Sequence, residues 1–114
     1  MKSTKVKKIE TKEGIQILQV RDIVYVESEG HYLYIHTSKE KITIRSKIRD
    51  FIEDMQESFL HIHQSFAVNM RYIEKITKNE ILLNNGIKLP VSRAKHKVAN
   101  EKVLKYIEDR NSLC

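Results

Sequence analysis

The sequence predicts a mainly-β domain of short, mostly antiparallel strands with two helices, one central and one C-terminal. Three observations carry this. Short segments rich in β-branched and aromatic residues recur along the N-terminal half, several with the alternation of a half-buried strand. The apolar spacing changes to a helical period after Ser46 and again in the C-terminal third. Turn signals at Lys12-Glu13-Gly14, Ser28-Glu29-Gly30 and Asn84-Asn85-Gly86 separate the segments.

In chain order, Lys5 to Glu10 and Gly14 to Val20 pair around the first turn. Ile23 to Glu27 has strand composition, and Tyr32 to Thr37 alternates with Leu33 and Ile35 on one face. A polar turn, Ser38 to Glu40, leads to Ile42-Thr43-Ile44, whose isoleucines share a face. Ser46 is the expected N-cap of a helix with Ile48, Phe51, Ile52 and Met55 at i, i+3, i+4, i+7. Phe59 and Leu60 are expected to close that helix onto the core, and His61 to Val68 reads as irregular.

Ile73 to Thr77 and Glu80 to Leu83 read as strands joined at Lys78-Asn79. In Ile87 to Val91, Pro90 marks an edge strand or its end. Val98, Val103, Leu104, Tyr106 and Ile107 predict a final amphipathic helix over about Ala94 to Asp109. Two helices separated by nearly forty residues do not make a helix-turn-helix, whose helices are joined by a short turn.

The chain has 114 residues, suited to a single domain over 1–114 with a modest core. At 40% hydrophobic and 32% charged residues, with three glycines and one proline, it is neither a disordered nor a collagen-like chain. No apolar run approaches the roughly 18 residues that span a bilayer, and no signal-peptide stretch follows Met1-Lys2-Ser3-Thr4-Lys5. The single cysteine is Cys114, so neither a disulfide framework nor a thiolate metal cluster is expected. A cytoplasmic location is the expectation. The net charge of +6 points to a polyanion, either nucleic acid or an anionic membrane surface. Residues 51–60 interrupt the positive charge with Glu53, Asp54 and Glu57.

Little in the sequence supports catalysis. There is no Gly-x-Ser-x-Gly, no Cys beside a His, and no glycine-rich phosphate loop. His61 and His63 alternate as metal ligands on a strand would, but lack a third ligand at a recognised spacing. Two histidines hydrogen-bonded at a structural turn explain them better, and a metal-dependent hydrolase using them is the weaker alternative. No cofactor, metal or small-molecule substrate is expected. Lys88 to Lys97 carries Lys88, Arg93, Lys95 and Lys97 without an acidic residue. If a helix begins near Arg93, its amides and Ser92 could hold a phosphate while Arg93 reaches a base edge. A solvated basic helix face explains the same spacing. A basic module binding RNA or single strands, with Tyr32 and Tyr34 as stacking platforms, is the other alternative.

The order of these pieces resembles the LytTR DNA-binding domain of bacterial transcription regulators, over about residues 20–98. The matching stretches begin with Asp22-Ile23-Val24-Tyr25-Val26-Glu27-Ser28, Gly30-His31-Tyr32-Leu33 and the segment from Ser46 to Met55. They continue through Phe59-Leu60-His61-Ile62-His63-Gln64-Ser65-Phe66-Ala67-Val68-Asn69, Ile73-Glu74-Lys75-Ile76 and Ile87-Lys88-Leu89-Pro90-Val91-Ser92-Arg93. The resemblance implies stacked sheets that read duplex DNA through loops at one end, without a recognition helix. By position it implies base contacts at His31, Gln64 and Arg93, and backbone contacts at Ser65, Ser92, Lys95 and Lys97.

Gln64 and His61 both depart from an arginine common in the family, while His63 matches a family histidine and reads as structural. The implied core set is Tyr25, Ile23, Leu33, Ile35, Phe66, Val68, Ile73 and Val91, with Asn69 fixing the turn after Val68. The family also implies two copies on tandem half-sites, and control by a receiver domain or a membrane-bound inhibitor. About 20 residues precede the matching region, too few for a receiver domain. Met1 and the N-terminal strand favour a complete, stand-alone chain over an excised output domain.

Overall fold

The computed structural model describes residues 5–112, so Cys114 lies outside the described residues. Strands β1 (Val6–Thr11) and β2 (Gly14–Gln19) form an antiparallel hairpin, with Ile9 and Leu18 buried beneath it. Thr11 holds its turn: its Oγ1 accepts from the Glu13 amide and donates to the Gly14 carbonyl. Lys7 pins the hairpin to the rest of the chain through a 2.9 Å ion pair with Asp54, its Nζ lying over the Phe51 ring.

The centre of the molecule is a five-stranded antiparallel sheet of β3 (Ile23–Glu29), β4 (Tyr32–Thr37), β5 (Lys41–Arg45), β6 (Phe59–His63) and β7 (Phe66–Asn69). Their spatial order is β5-β4-β3-β7-β6. A register shift between Ile23 and Tyr25 re-aims β3: Ile23 and Val26 enter one core, while Val24 and Tyr25 both enter the other. A second antiparallel sheet, ordered β10-β9-β8, contains β8 (Ile73–Ile76), β9 (Glu80–Leu83) and β10 (Lys88–Pro90). As expected, the proline-bearing strand lies at an edge.

Each face of the central sheet has its own core. On one face the hairpin and α1 (Ile48–Ile52) pack around Phe59, Leu33 and Ile35. On the other, the three-stranded sheet and α2 (His96–Ser112) enclose Leu60, Ile62, Val68, Ile81 and Leu83. The stacked mainly-β architecture is therefore as the sequence implies.

Several details differ from the sequence reading. Ser46 does not cap α1: Lys47 holds the N-cap position in extended conformation, and the Ser46 hydroxyl donates to the Lys47 carbonyl. The helix lasts five residues before tightening into a 3-10 turn at Glu53–Met55, although all four expected apolar positions are buried. Phe59 and Leu60 belong to β6, and His61 to Val68 contributes to a hairpin whose one irregularity is a register shift between His61 and His63. Leu60 and Ile62 face one core and Phe59 the other, so this segment lacks the one-sided polarity by which a strand is recognised.

The C-terminal helix begins at His96, after a 3-10 turn at Arg93–Lys95, and runs to Ser112. Its inward stripe is Ala99, Val103 and Tyr106, whereas Val98, Leu104 and Ile107 are exposed. Of the expected core, Phe66 and Ile73 are half-buried and pack at the margin of the second cluster.

Asn69 joins the two halves. Its Nδ2 donates to the carbonyls of Val20 and Ile23, at 3.2 and 2.9 Å, while its Oδ1 accepts from the Arg71 amide at 3.2 Å. It is the only fully buried polar side chain among the described residues.

Candidate nucleic-acid interface

At one end of the central sheet, three connections lie side by side. Between β3 and β4 the chain turns at Gly30, whose φ of +63° is the left-handed conformation glycine adopts without a Cβ penalty, and His31 follows, exposed. Between β6 and β7 it turns at Gln64 and Ser65, where the Ser65 amide donates to His63 Nδ1 at 3.0 Å. The Ser28 amide, at the end of β3, donates to the Ser65 carbonyl at 2.9 Å, binding the second turn beside the first. The third connection leaves β10: the Ser92 amide donates to the Ile62 carbonyl at 2.8 Å, docking the Arg93–Lys95 turn beside β6.

These turns and the segment entering α1 surround an open groove of about 1240 Å³. His31, Gln64, Ser65, Ser92 and Lys95 all line it, although they come from three separated parts of the chain. Its lining includes Arg45, Lys47, Arg49 and Lys95 against the carboxylates Glu29 and Asp50. None of those four cations has a carboxylate partner among the described residues. Arg93 and Lys97 are exposed but outside the lining, Arg93 immediately beside Ser92 and Ala94, which are part of it.

Sequence reasoning missed Arg45, Lys47 and Arg49. The signal was present as basic residues at alternate positions, 45, 47 and 49, leading into the first turn of α1. It is silent about the groove because only the fold brings α1 against β3 and β6.

The two histidines of β6 differ. His63 is a structural turn residue, as expected, through its bond to Ser65. His61 is not satisfied in the same way: its Nε2 is buried and has no hydrogen-bond partner. Burial, followed by the nearby Lys95 ammonium, holds the His61 imidazole below the usual histidine pKa, with Arg49 adding to the effect. The backbone at His63 and Gln64 acts in the opposite direction.

A metal centre finds little here. The Nδ1 of His63 is engaged by backbone, and no group of three His, Cys, Asp or Glu side chains suited to a metal ion occurs among the described residues. Tyr32 and Tyr34, the stacking candidates, have cations of this chain over their rings: Arg45 at 5.6 Å and Lys41 at 5.0 Å. A base could stack there only by displacing them. Burial and Glu27 raise the hydroxyl pKa of Tyr25, whose ring stacks on His36 at 4.2 Å, so that aromatic pair belongs to the scaffold. No helix among the described residues is long and apolar enough to cross a membrane.

A stacked β scaffold presenting polar turns and unpaired cations around one open groove has the make-up of a polyanion-binding domain. The family comparison gives the class a narrower definition. Residues 13–103 match the model of the LytTr DNA-binding domain, a wider span than the motifs alone indicated. The chain belongs to this family, the DNA-binding domain of transcription regulators.

Among its relatives, the sensory transduction protein LytT of Bacillus subtilis is 29% identical over 87 residues, covering 71% of this chain and 36% of LytT. The transcriptional regulatory protein NatR of the same organism is 33% identical over 67 residues, 58% of this chain and 29% of NatR. BtsR of Escherichia coli is 29% identical over 89 residues, 69% of this chain and 35% of BtsR. The matched region is thus about a third of each relative's length. The fold is shared with the LytTr DNA-binding domain of a methyl-accepting/DNA response regulator from Bacillus cereus. That structure superposes with a TM-score of 0.71 at 22% identity, covering 90% of this chain and 98% of that one.

Proposed function

We propose that the chain is a single non-catalytic domain over 1–114 that binds duplex DNA sequence-specifically to control transcription. Bases are read by His31, Gln64 and Arg93 on the sheet-end turns, and the backbone is held by Ser65, Ser92, Lys95 and Lys97. The observation that carries this reading is the convergence of three turns, distant in sequence, on one groove with four unpaired cations. Arg93 suits a bidentate contact to guanine, Gln64 an adenine edge, and the lysines supply grip that is independent of sequence. DNA as partner implies a cytoplasmic site of action.

Two copies act on tandem half-sites separated by about one helical turn or a multiple of it. Activity is governed by a receiver domain or by a membrane-bound inhibitor. Both statements rest on the family alone.

The test is selection of preferred duplexes from a random pool at physiological salt, followed by competition with single-stranded RNA of matched sequence. A defined consensus, displaced by duplex and poorly by RNA, is expected. Log affinity against log salt should fall with a slope of about −4 to −5 if four to six phosphates are neutralised. Better displacement by single strands would overturn the reading, as would a slope near zero.

A further inference from the structure

We propose that Arg45, Lys47 and Arg49 form a second phosphate-binding element, separate in sequence from the Ser92–Lys97 segment and continuous with it across the groove. The inference rests on the duplex-binding reading and extends its contact surface to three residues for which the family resemblance implies no DNA contact.

β5 is one edge of the central sheet and β6 the other, and Ser92 is bonded to β6. Arg45 ends β5, opposite Tyr32 in the register, and Lys47 and Arg49 carry the chain into α1. Arg49 and Lys95 line a smaller adjoining hollow together with His61, whose imidazole pKa both depress. Arg45, Lys47, Arg49 and Lys95 therefore make one basic rail running from the β5 edge to the β6 edge. Five strands at about 4.8 Å spacing make that span roughly 19 Å, long enough for several phosphates of one backbone.

Three features suit these side chains to phosphate. All three are exposed, and none is neutralised by a carboxylate among the described residues. Arg45 is held against the Tyr32 ring, which limits the freedom its guanidinium loses on binding. The groove is also open, so a duplex backbone reaches them without rearrangement of the sheet. The carboxylates Glu29 and Asp50 line the same groove, where the four cations outnumber them.

The experiment compares the wild-type chain with an Arg45→Ala, Lys47→Ala, Arg49→Ala variant on the selected duplex and on random duplex, over a salt series. Circular dichroism checks that the variant is folded. Each lost phosphate contact should make the salt slope shallower by about one, and affinity should fall by the same factor on both duplexes. A charge-preserving variant, Lys47→Arg with Arg49→Lys, should retain the wild-type slope. An unchanged slope in the triple-alanine variant, with wild-type binding intact, overturns the rail and leaves the duplex reading standing. Loss on the selected duplex alone overturns it too, because that marks base readers. If the wild-type chain shows no salt-dependent preference for duplex, the duplex reading itself fails.

Discussion

The Ser28 amide and the Ser65 carbonyl, 2.9 Å apart, connect the end of β3 to the turn that precedes β7. Residues 37 positions apart in the chain are thereby hydrogen-bonded at one end of the sheet. His31 and Gln64, on the turns beside this bond, are brought to the same end of the sheet.

Gly30 sits in the turn that carries His31. A Cβ built there meets nothing within 4 Å, so Gly30→Ala should cost backbone strain only, about 1–2 kcal/mol. Gly30→Asn should cost less, because asparagine tolerates the left-handed region. Urea unfolding of the three proteins checks this, and equal stability of all three contradicts it.

Asn69 makes three hydrogen bonds in a dry environment. Asn69→Ala removes a donor from the Ile23 carbonyl and the acceptor of the Arg71 amide, while the Val20 carbonyl keeps the Ile23 amide, and should lower stability by about 1–3 kcal/mol. The urea midpoint should fall with the m-value unchanged. A shift below about 0.5 kcal/mol would show that water replaces the amide fully.

Arg93→Ala and Lys95→Ala should separate reading from grip. The first should cost about 1–3 kcal/mol on the selected duplex and relax preference at one base position. The second should weaken binding alike on all duplexes. Quantitative shift assays on selected and random duplexes distinguish them, and identical behaviour of the two variants removes Arg93 from the readers.

Acid should destabilise the fold through His61. Its imidazole pKa is depressed in the folded chain by burial and then by Lys95. The unfolded chain therefore binds a proton near pH 6.5 while the folded chain resists it. Stability is full above that value and declines as pH drops below it, levelling once the folded pKa is passed. Urea unfolding from about pH 7.5 to 5 should show this decline, and His61→Gln should flatten it. Parallel profiles for the two proteins would assign the acid sensitivity elsewhere.

The elements that alternate cleanly were legible from the chain. Leu33 and Ile35, between polar neighbours, marked β4 and its buried face, and Pro90 marked an edge. Where both faces of a strand are covered, alternation disappears, and β6 and β7 were hidden for that reason. The final helix was visible but its inward face was not, because small Ala99 packs closely while larger Val98 and Leu104 point to solvent. For the interface, the motif order picked out the turn residues. The basic approach to α1 escaped because its role depends on α1 lying against β3 and β6, a contact between distant parts of the chain. The bonds from Asn69 to Val20 and Ile23 escaped for the same reason.

The two separate cores have a consequence for how such a domain can diversify. The turns at one end of the central sheet contribute little to either core: His31 and Gln64 are exposed, and Ser65 lies between strands that are themselves buttressed on both faces. Tip residues can thus be exchanged almost independently of folding, with Gly30 as the main conformational constraint. A library randomised at positions 31, 64 and 93 should yield mostly folded proteins, so that new operator preferences can be sought without rebuilding the scaffold.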